Sequence, residues 1–193
     1  MIERKLFLIG QSFGGAVSTL TLLKLVQEKS EKFEIGGLIL TSSAVMGPLP
    51  LYQRVAQPLL PILTKYIPKM RLVDAADPCS MSRDKSEAVR YLKDPLNSPG
   101  NLSLYTANEV MRGLREIKTR VSEIKVPLLV LHGELDKVCD LNSMKALVGE
   151  MNSKDKTFVV MPGFWHTMFH DSQWRDVAKK ITDWLDKHDD DIM

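Results

Sequence analysis

A serine flanked by glycines is the first residue whose surroundings predict chemistry. Residues 10–15 read Gly-Gln-Ser-Phe-Gly-Gly, between a short apolar run and a segment with apolar residues at helical spacing. At a sharp strand-to-helix turn, Ser12 would point out of the sheet and could act as a nucleophile. Such a turn requires glycine at positions 10 and 14, because a Cβ there would clash with the neighbouring strand and helix. A glycine-rich turn with an incidental serine is the alternative interpretation.

A nucleophilic serine needs a base, and the base needs an acid that orients it. His166 follows the last apolar run of the chain, at what would be the carboxyl edge of a sheet. On its own, such a histidine is more often structural. Asp136 follows the preceding apolar run and is our choice of acid, with Glu134 as the competing carboxylate. The order Ser12, acid, His166 is that of the α/β-hydrolases, not of chymotrypsin or subtilisin.

The elements that must position these residues alternate between strands and helices. Short apolar runs predict four buried strands, at residues 6–9, 35–41, 126–131 and 157–161. Apolar spacings of three and four predict helices at residues 14–29, 141–151 and 173–187. On the last helix, the face expected to pack on the sheet consists of Trp174, Val177, Ile181, Trp184 and Leu185. This alternation predicts one α/β domain with a mostly parallel sheet.

A helical insertion, here named the cap segment, interrupts the alternation at about residues 45–125. It is rich in Leu, Ile, Met and Tyr and has prolines at positions 48, 50, 58, 61 and 68. Such a segment could line a tunnel for an acyl chain or touch a membrane surface, although a plain core-covering insertion needs no ligand. The residues that we expect to contact an acyl chain are Met46, Leu49, Leu59 and Leu63.

Composition and charge exclude several classes of function. The net charge of +2, from 26 basic and 24 acidic residues, gives no basic stripe for nucleic acid. Cys79 and Cys139 lie too far apart in sequence to indicate a disulfide framework or a metal site by themselves. Two such cysteines are typical of a protein in a reducing compartment such as the cytoplasm. The start of the chain is too weakly apolar for a signal peptide or membrane span. His166 and His170 have no further ligand at a known spacing, so we expect neither metal nor cofactor.

Taken together, these motifs resemble the monoacylglycerol lipase family of the α/β-hydrolases over nearly the whole chain. Besides residues 10–15, the similar segments are Ser82-Arg83-Asp84, Asp94-Pro95-Leu96, Val126-Pro127, His132-Gly133 with Asp136, and Gly163 with His166. The resemblance implies a serine esterase that splits a monoacylglycerol through an acyl-enzyme, with Ser12, Asp136 and His166 as its triad. Plant lysophospholipase-like and caffeoylshikimate-esterase-like proteins share these motifs, so a lysophospholipase or phenolic-ester hydrolase stays open.

The same resemblance implies that the chain is the C-terminal part of a partial α/β-hydrolase fold. Family members have earlier strands and an H-G-x-G type turn that supplies a second oxyanion donor. The expected donor here is the Phe13 N–H, and losing one donor typically costs about 3–4 kcal/mol of transition-state stabilisation. An inert or regulatory fragment is therefore the alternative to an active lipid esterase. Peripheral membrane contact through the cap segment and the oligomeric state are left open.

Overall fold

The structure is a computed structural model of the 193-residue chain and describes residues 5–28, 34–47 and 57–189. The strands are β1 (Lys5–Gln11), β2 (Glu34–Thr41), β3 (Arg71–Val73), β4 (Leu102–Ser103), β5 (Leu128–Gly133) and β6 (Lys156–Met161). The α-helices are α1 (Phe13–Gln27), α2 (Leu60–Tyr66), α3 (Pro78–Met81), α4 (Lys85–Lys93), α5 (Leu104–Arg120), α6 (Leu141–Glu150) and α7 (Trp174–His188). Short 3-10 turns lie at Gln57–Leu59, Val121–Glu123 and Met168–His170.

The main sheet is parallel, with strand order β1-β2-β5-β6. All four carboxyl ends therefore meet at one edge, where the loops carrying Ser12, Asp136 and His166 begin. The predicted mostly parallel α/β fold with four main strands is confirmed. The predicted strand bounds differ from the observed ones by up to two residues, and β5, for example, begins at Leu128 rather than Val126. Pro127 has no N–H to give to a ladder, although its carbonyl accepts from the Leu38 N–H at 2.9 Å.

Helices cover both faces of the sheet because successive residues of a strand point to opposite sides. On one face, Leu38 and Leu128 pack in a core with residues of α1, α5 and α6. On the other face, Ile39 packs with Leu131 and with residues of α7. The buried residues of α7 are Val177, Ile181 and Trp184.

The predicted sheet-facing position of Trp174 was wrong. Trp174 is 41% exposed at the first position of α7. Its ring lies against the Arg175 guanidinium, with 4.8 Å between them. The apolar spacing predicted the helix correctly, but its first residue lies outside the core, which the helix contacts from Val177 onward.

The cap segment combines short helices with a small antiparallel pair, β3 and β4. That pair was not predicted, because two or three residues are too few to display an alternating pattern. The end of the segment joins the main core, since Leu114 and Ile117 of α5 pack on the layer that contains α1. Across the described ranges, no helix has both the length and the apolar character that crossing a membrane would require.

Candidate active site

Ser12 occupies the turn between β1 and α1, with φ 53° and ψ −125°. A residue other than glycine in such a conformation carries roughly 1–3 kcal/mol of strain, so its surroundings must hold it. The Ser12 N–H donates to the Thr41 carbonyl at 3.0 Å, and the Ser12 carbonyl accepts from the Ala44 N–H at 2.8 Å. Thr41 ends β2 and Ala44 lies in the loop that follows, so the end of the neighbouring strand and its loop hold the strained serine in place.

Close packing explains two glycines of this turn. A Cβ on Gly10 would lie 2.4 Å from the Gly14 carbonyl oxygen, and a Cβ on Gly15 would lie 2.2 Å from Ser43 Oγ. A Cβ on Gly14 would meet no described atom within 4 Å. The predicted clash at Gly14 is therefore wrong, because this residue is exposed at the start of α1. The neighbouring loop requires glycine one position later, at Gly15.

His166 is buried and uses both ring nitrogens. Its Nε2 lies 2.8 Å from Ser12 Oγ, and its Nδ1 lies 2.9 Å from Asp136 Oδ2. With the proton on Nδ1 held by the carboxylate, Nε2 can accept the proton of the serine hydroxyl. The structure thus brings together all three residues that the sequence analysis selected, from loops at the ends of β1, β5 and β6.

The Asp136 carboxylate has no exposed side-chain surface and accepts hydrogen bonds from His166 and from two backbone groups. Its Oδ1 accepts from the Val138 N–H at 2.8 Å and the Cys139 N–H at 2.9 Å. Burial acts to raise the Asp136 pKa, but the hydrogen bonds from His166 and from the two backbone groups outweigh it, and the pKa is lowered. The carboxylate therefore stays ionised beside the imidazole.

Glu134, the competing carboxylate, faces a different group. Its Oε2 accepts from the Gly163 N–H at 3.0 Å. Gly163 has a positive φ of 71° and lies three residues before His166. Glu134 therefore stabilises the turn that precedes His166. The Asp136 carboxylate, and not that of Glu134, contacts the imidazole.

Two residues near Asp136 were missed or left undecided. His132 is fully buried, and its Nε2 lies 3.0 Å from the Cys139 carbonyl and 3.4 Å from Asp136 Oδ2. The sequence analysis named His132 only as part of a motif. Its contacts with Asp136 and Cys139 depend on how the loop after β5 folds. Burial, and then the nearby Asp136 charge, raise the pKa of the Cys139 thiol to about 12, so this thiol stays protonated.

Among the residues that the structure describes, one group of side chains could approach a metal ion by distance alone. Ligand atoms of Asp136, Cys139 and His166 all lie within 4.8 Å of one another. However, the carboxylate and the imidazole already bind each other and Ser12, and the thiol is protonated. Binding a metal would require disrupting the contacts just described. His170 contacts Glu87 instead, with 3.3 Å between Nδ1 and Oε2.

A cavity of about 470 Å³ opens beside Ser12 and His166. The cap segment supplies most of its wall. Most of the lining side chains are polar, and the apolar ones include Pro78, Met81 and Ala88. The polar lining beyond the catalytic pair includes Ser82, Glu87, Arg90, Asp94, Asn97 and His170. The surface that these residues expose to the cavity is nevertheless mainly apolar, so the wall can accept both a hydrocarbon chain and a small hydroxylated group.

The predicted acyl-contacting residues do not line this cavity. Met46 borders a separate pocket with Leu114 and Ile117, while Leu59 and Leu63 are exposed on the surface around α2. Leu49 lies outside the described residues. A role of these residues in acyl binding stays a prediction.

Phe13 is the first residue of α1. The first N–H groups of a helix have no intrahelical acceptor and carry the positive end of the helix dipole. The Phe13 N–H therefore lies at the amino end of α1, directly after Ser12, and its role as an oxyanion donor stays a prediction. The Phe13 ring itself is about half exposed.

The chain is similar in sequence to a known protein family over most of its length. The model of a family described as Serine aminopeptidase, S33, matches residues 2–173. The chain belongs to this family. The monoglyceride lipase of Saccharomyces cerevisiae is 26% identical to this S33 member in an alignment that covers 95% of the chain. The caffeoylshikimate esterase of Arabidopsis thaliana is 25% identical over 94% of the chain.

A solved structure has the same fold over most of this chain. The crystal structure of Paleococcus ferrophilus monoacylglycerol lipase superposes with a TM-score of 0.77 at 27% identity, covering 96% of this chain and 69% of that one. The S33 member spans only 61% of the length of the yeast relative and 54% of the plant relative. The similarity to these lipases and esterases therefore covers only part of the length of each relative.

Proposed function

We propose that this chain hydrolyses carboxylic esters of lipids, with monoacylglycerol as the preferred substrate. The observation that carries the proposal is the continuous hydrogen-bonded series from Ser12 through His166 to Asp136, with separations of 2.8 and 2.9 Å. Each member comes from a different strand end. Such a series is the arrangement that activates a serine hydroxyl.

In the proposed reaction, His166 takes the hydroxyl proton as Ser12 Oγ attacks the ester carbonyl carbon. Asp136 stabilises the imidazolium that forms, and the Phe13 N–H donates to the oxyanion. The imidazolium then gives its proton to the leaving alcohol, which leaves an acyl-serine. Water attacks the acyl carbon with His166 again as base, and the fatty acid departs as Ser12 recovers its proton.

The cavity supports an uncharged, hydroxylated leaving group such as glycerol. Carboxylate and amide groups of Asp94 and Asn97 border it and can exchange hydrogen bonds with hydroxyls. Arg90 also borders it, but its guanidinium is already paired with Glu87 at 2.5 Å. The acidic side chains of Glu87 and Asp94 in the same wall favour an uncharged glycerol head group over the phosphate head group of a lysophospholipid.

The second candidate is a phenolic ester, because the plant relative named above is a caffeoylshikimate esterase. Fold and triad are shared by both activities, so the substrate must be tested directly. We would compare kcat/KM for a monoacylglycerol, a lysophosphatidylcholine and a caffeoyl ester. The proposal predicts the highest value for the monoacylglycerol, and a caffeoyl ester turned over at least as well would overturn that preference.

Two serine variants control this panel. Ser12→Ala should lose hydrolysis of every substrate. Ser80→Ala removes an exposed cap hydroxyl that bonds only to the Asp77 carbonyl in the described structure, and it should keep all activities. Equal loss in both variants would point to damage unrelated to the nucleophile.

An inert fragment would keep these residues without using them. A thermal melt separates the two possibilities, because the active site needs a cooperatively packed sheet. We expect one sharp transition for the 193-residue chain. A broad loss of structure without a transition would support the inert fragment.

We also propose that the cap segment contacts a membrane surface through α2 and its flanks. Leu59, Ile62 and Tyr66 are exposed there. Residues 57–73 include Lys65, Lys69 and Arg71 but no acidic residue. Exposed apolar side chains with interleaved cations suit an anionic lipid surface.

Vesicle sedimentation would test this contact. Ile62→Glu should reduce binding to vesicles that contain anionic lipid, whereas Val89→Glu, at an exposed position of α4, should not. Equal binding of both variants would contradict the assignment of the surface to α2.

A further inference from the structure

The loop that carries His166, here the base loop of residues 163–173, is fastened to the cap segment. Thr167 follows the histidine directly. Its N–H donates to the Met81 carbonyl at 2.9 Å, and its Oγ1 donates to the same oxygen at 3.0 Å. The residue next to the base therefore has both of these donors committed to the end of α3.

Arg83 makes the second attachment, two residues further along the cap segment. Its Nη2 donates to Asp171 Oδ1 at 2.6 Å and to Gln173 Oε1 at 2.8 Å. Its guanidinium also lies 5.8 Å from the centre of the Phe164 ring, on the other side of the histidine. A single cap side chain thus contacts the base loop both before and after His166.

The burial of Asp171 makes this attachment costly to break. Only 4% of its side chain is exposed, against 39% for Arg83. Besides Arg83, Asp171 Oδ1 accepts from the Gln173 N–H at 2.9 Å. Removing the arginine would leave a buried carboxylate without its cation, and the loop would have to move to bring it to water.

We propose that Arg83 is a positioning residue that sets the place of His166 through Asp171, so that the position of the cap segment controls the base. The inference rests on the proposed function, since it assigns a role in the same reaction. His166 must span Ser12 and Asp136 at 2.8 and 2.9 Å, which leaves little room for displacement. A misplacement of about 1 Å can cost roughly 100-fold in rate, even when the substitution is remote from the chemistry.

The test compares three variants of the 193-residue chain. Arg83→Met removes the charge and the donors, and Arg83→Lys keeps the charge and one short donor group. Lys179→Met is the matched control, because Lys179 makes an ion pair with Asp183 at 2.8 Å on the exposed side of α7. We would measure kcat and KM per titrated active site, so that a smaller folded fraction does not count as slower chemistry.

Arg83→Met should lower kcat about tenfold or more with KM nearly unchanged, since the nucleophile turn and cavity keep their residues. Arg83→Lys should recover part of the loss, and Lys179→Met should match the unsubstituted chain. An unchanged kcat in Arg83→Met, or an equal loss in Lys179→Met, would overturn the proposal.

A second readout does not depend on activity. Hydrogen exchange of the amides of residues 164–171 should be faster in Arg83→Met, and less so in Arg83→Lys, than in the unsubstituted chain. Unaltered exchange in Arg83→Met would overturn the positioning role. If the unsubstituted chain shows no esterase activity, the proposed function fails, and hydrogen exchange still decides whether Arg83 holds the base loop. If Arg83→Met does not fold, Asp171→Asn takes its place in both measurements.

Discussion

Strand β5, which leads to the acid, and strand β1, which leads to the nucleophile, are supported in different ways. All six residues of β5 are buried, and the strand has β2 and β6 as neighbours. Among the described strands, β1 pairs only with β2, and Ile9 is 53% exposed. Packing on two faces and two edges therefore fixes the acid, whereas local backbone bonds fix the nucleophile.

Helix α1 extends this contrast. It is apolar on most sides, yet Phe13, Val17 and Val26 are exposed. The strained Ser12 depends on its two backbone bonds to Thr41 and Ala44, both from the side of β2. Within the described residues, burial therefore holds the acid, whereas backbone hydrogen bonds hold the strained nucleophile.

The largest expected effect comes from the acid. Asp136→Asn should lower kcat roughly 10⁴-fold, because an amide would favour the wrong imidazole tautomer while leaving the geometry in place. Steady-state hydrolysis of a monoacylglycerol measures the loss. A decrease of less than tenfold would show that the packed carboxylate is not part of the catalytic series.

A pair of core substitutions sharpens the contrast in stability. Leu131→Ala in β5 should cost about 2–5 kcal/mol of unfolding free energy, because it opens a cavity in a fully buried layer. Ile9→Ala in β1 should cost about 0.5 kcal/mol, as expected for an exposed side chain. Urea unfolding measures both. Equal costs would mean that β1 is as tightly packed as β5.

A smaller effect isolates the strain at the nucleophile. Ser12→Gly should be more stable than Ser12→Ala by about 1 kcal/mol, because glycine adopts a positive φ without a Cβ penalty. Both variants lack the hydroxyl, so the difference reports on the backbone alone. Identical unfolding midpoints would indicate that the turn stores no strain.

The acid also predicts a dependence of stability on pH. The Asp136 pKa is lowered in the folded chain from its ordinary 3.8, so the unfolded chain binds the proton more readily. Its contribution is complete above about pH 4 and is lost as the pH falls through the folded pKa. Between pH 5 and pH 2, the free energy of unfolding should fall more steeply for the unsubstituted chain than for Asp136→Asn. Parallel slopes would contradict the lowered pKa.

Local patterns in the sequence predicted the sheet and the order of the three site residues. Ser12, Asp136 and His166 each follow a recognisable strand, and parallel strands bring such positions to one edge. Their hydrogen bonds were thus foreseeable in outline, and their catalytic role stays a prediction. Arg83 and Asp171 are 88 positions apart. Their contact depends on how the cap segment packs, which no local spacing encodes.

The wrong assignment at Gly14 has the same physical origin. The clash assigned to Gly14 belongs to Gly15, because the nearest atom comes from Ser43 on a different strand end. Acyl contact stays a prediction: of the residues chosen for it by type, Met46 borders a separate pocket, and Leu59 and Leu63 lie on the surface. Periodicity in the sequence predicts which residues form an apolar face, but tertiary packing determines which part of the protein contacts that face.

The central claim is that His166 and Asp136 activate Ser12 in this chain. The most direct measurement is fluorophosphonate labelling of the 193-residue chain and of its Ser12→Ala variant, read by intact mass. We predict one adduct on the unsubstituted chain and none on the variant, because only an activated serine reacts readily with this reagent. A folded chain that gains no adduct, or a variant that still gains one, would contradict the claim.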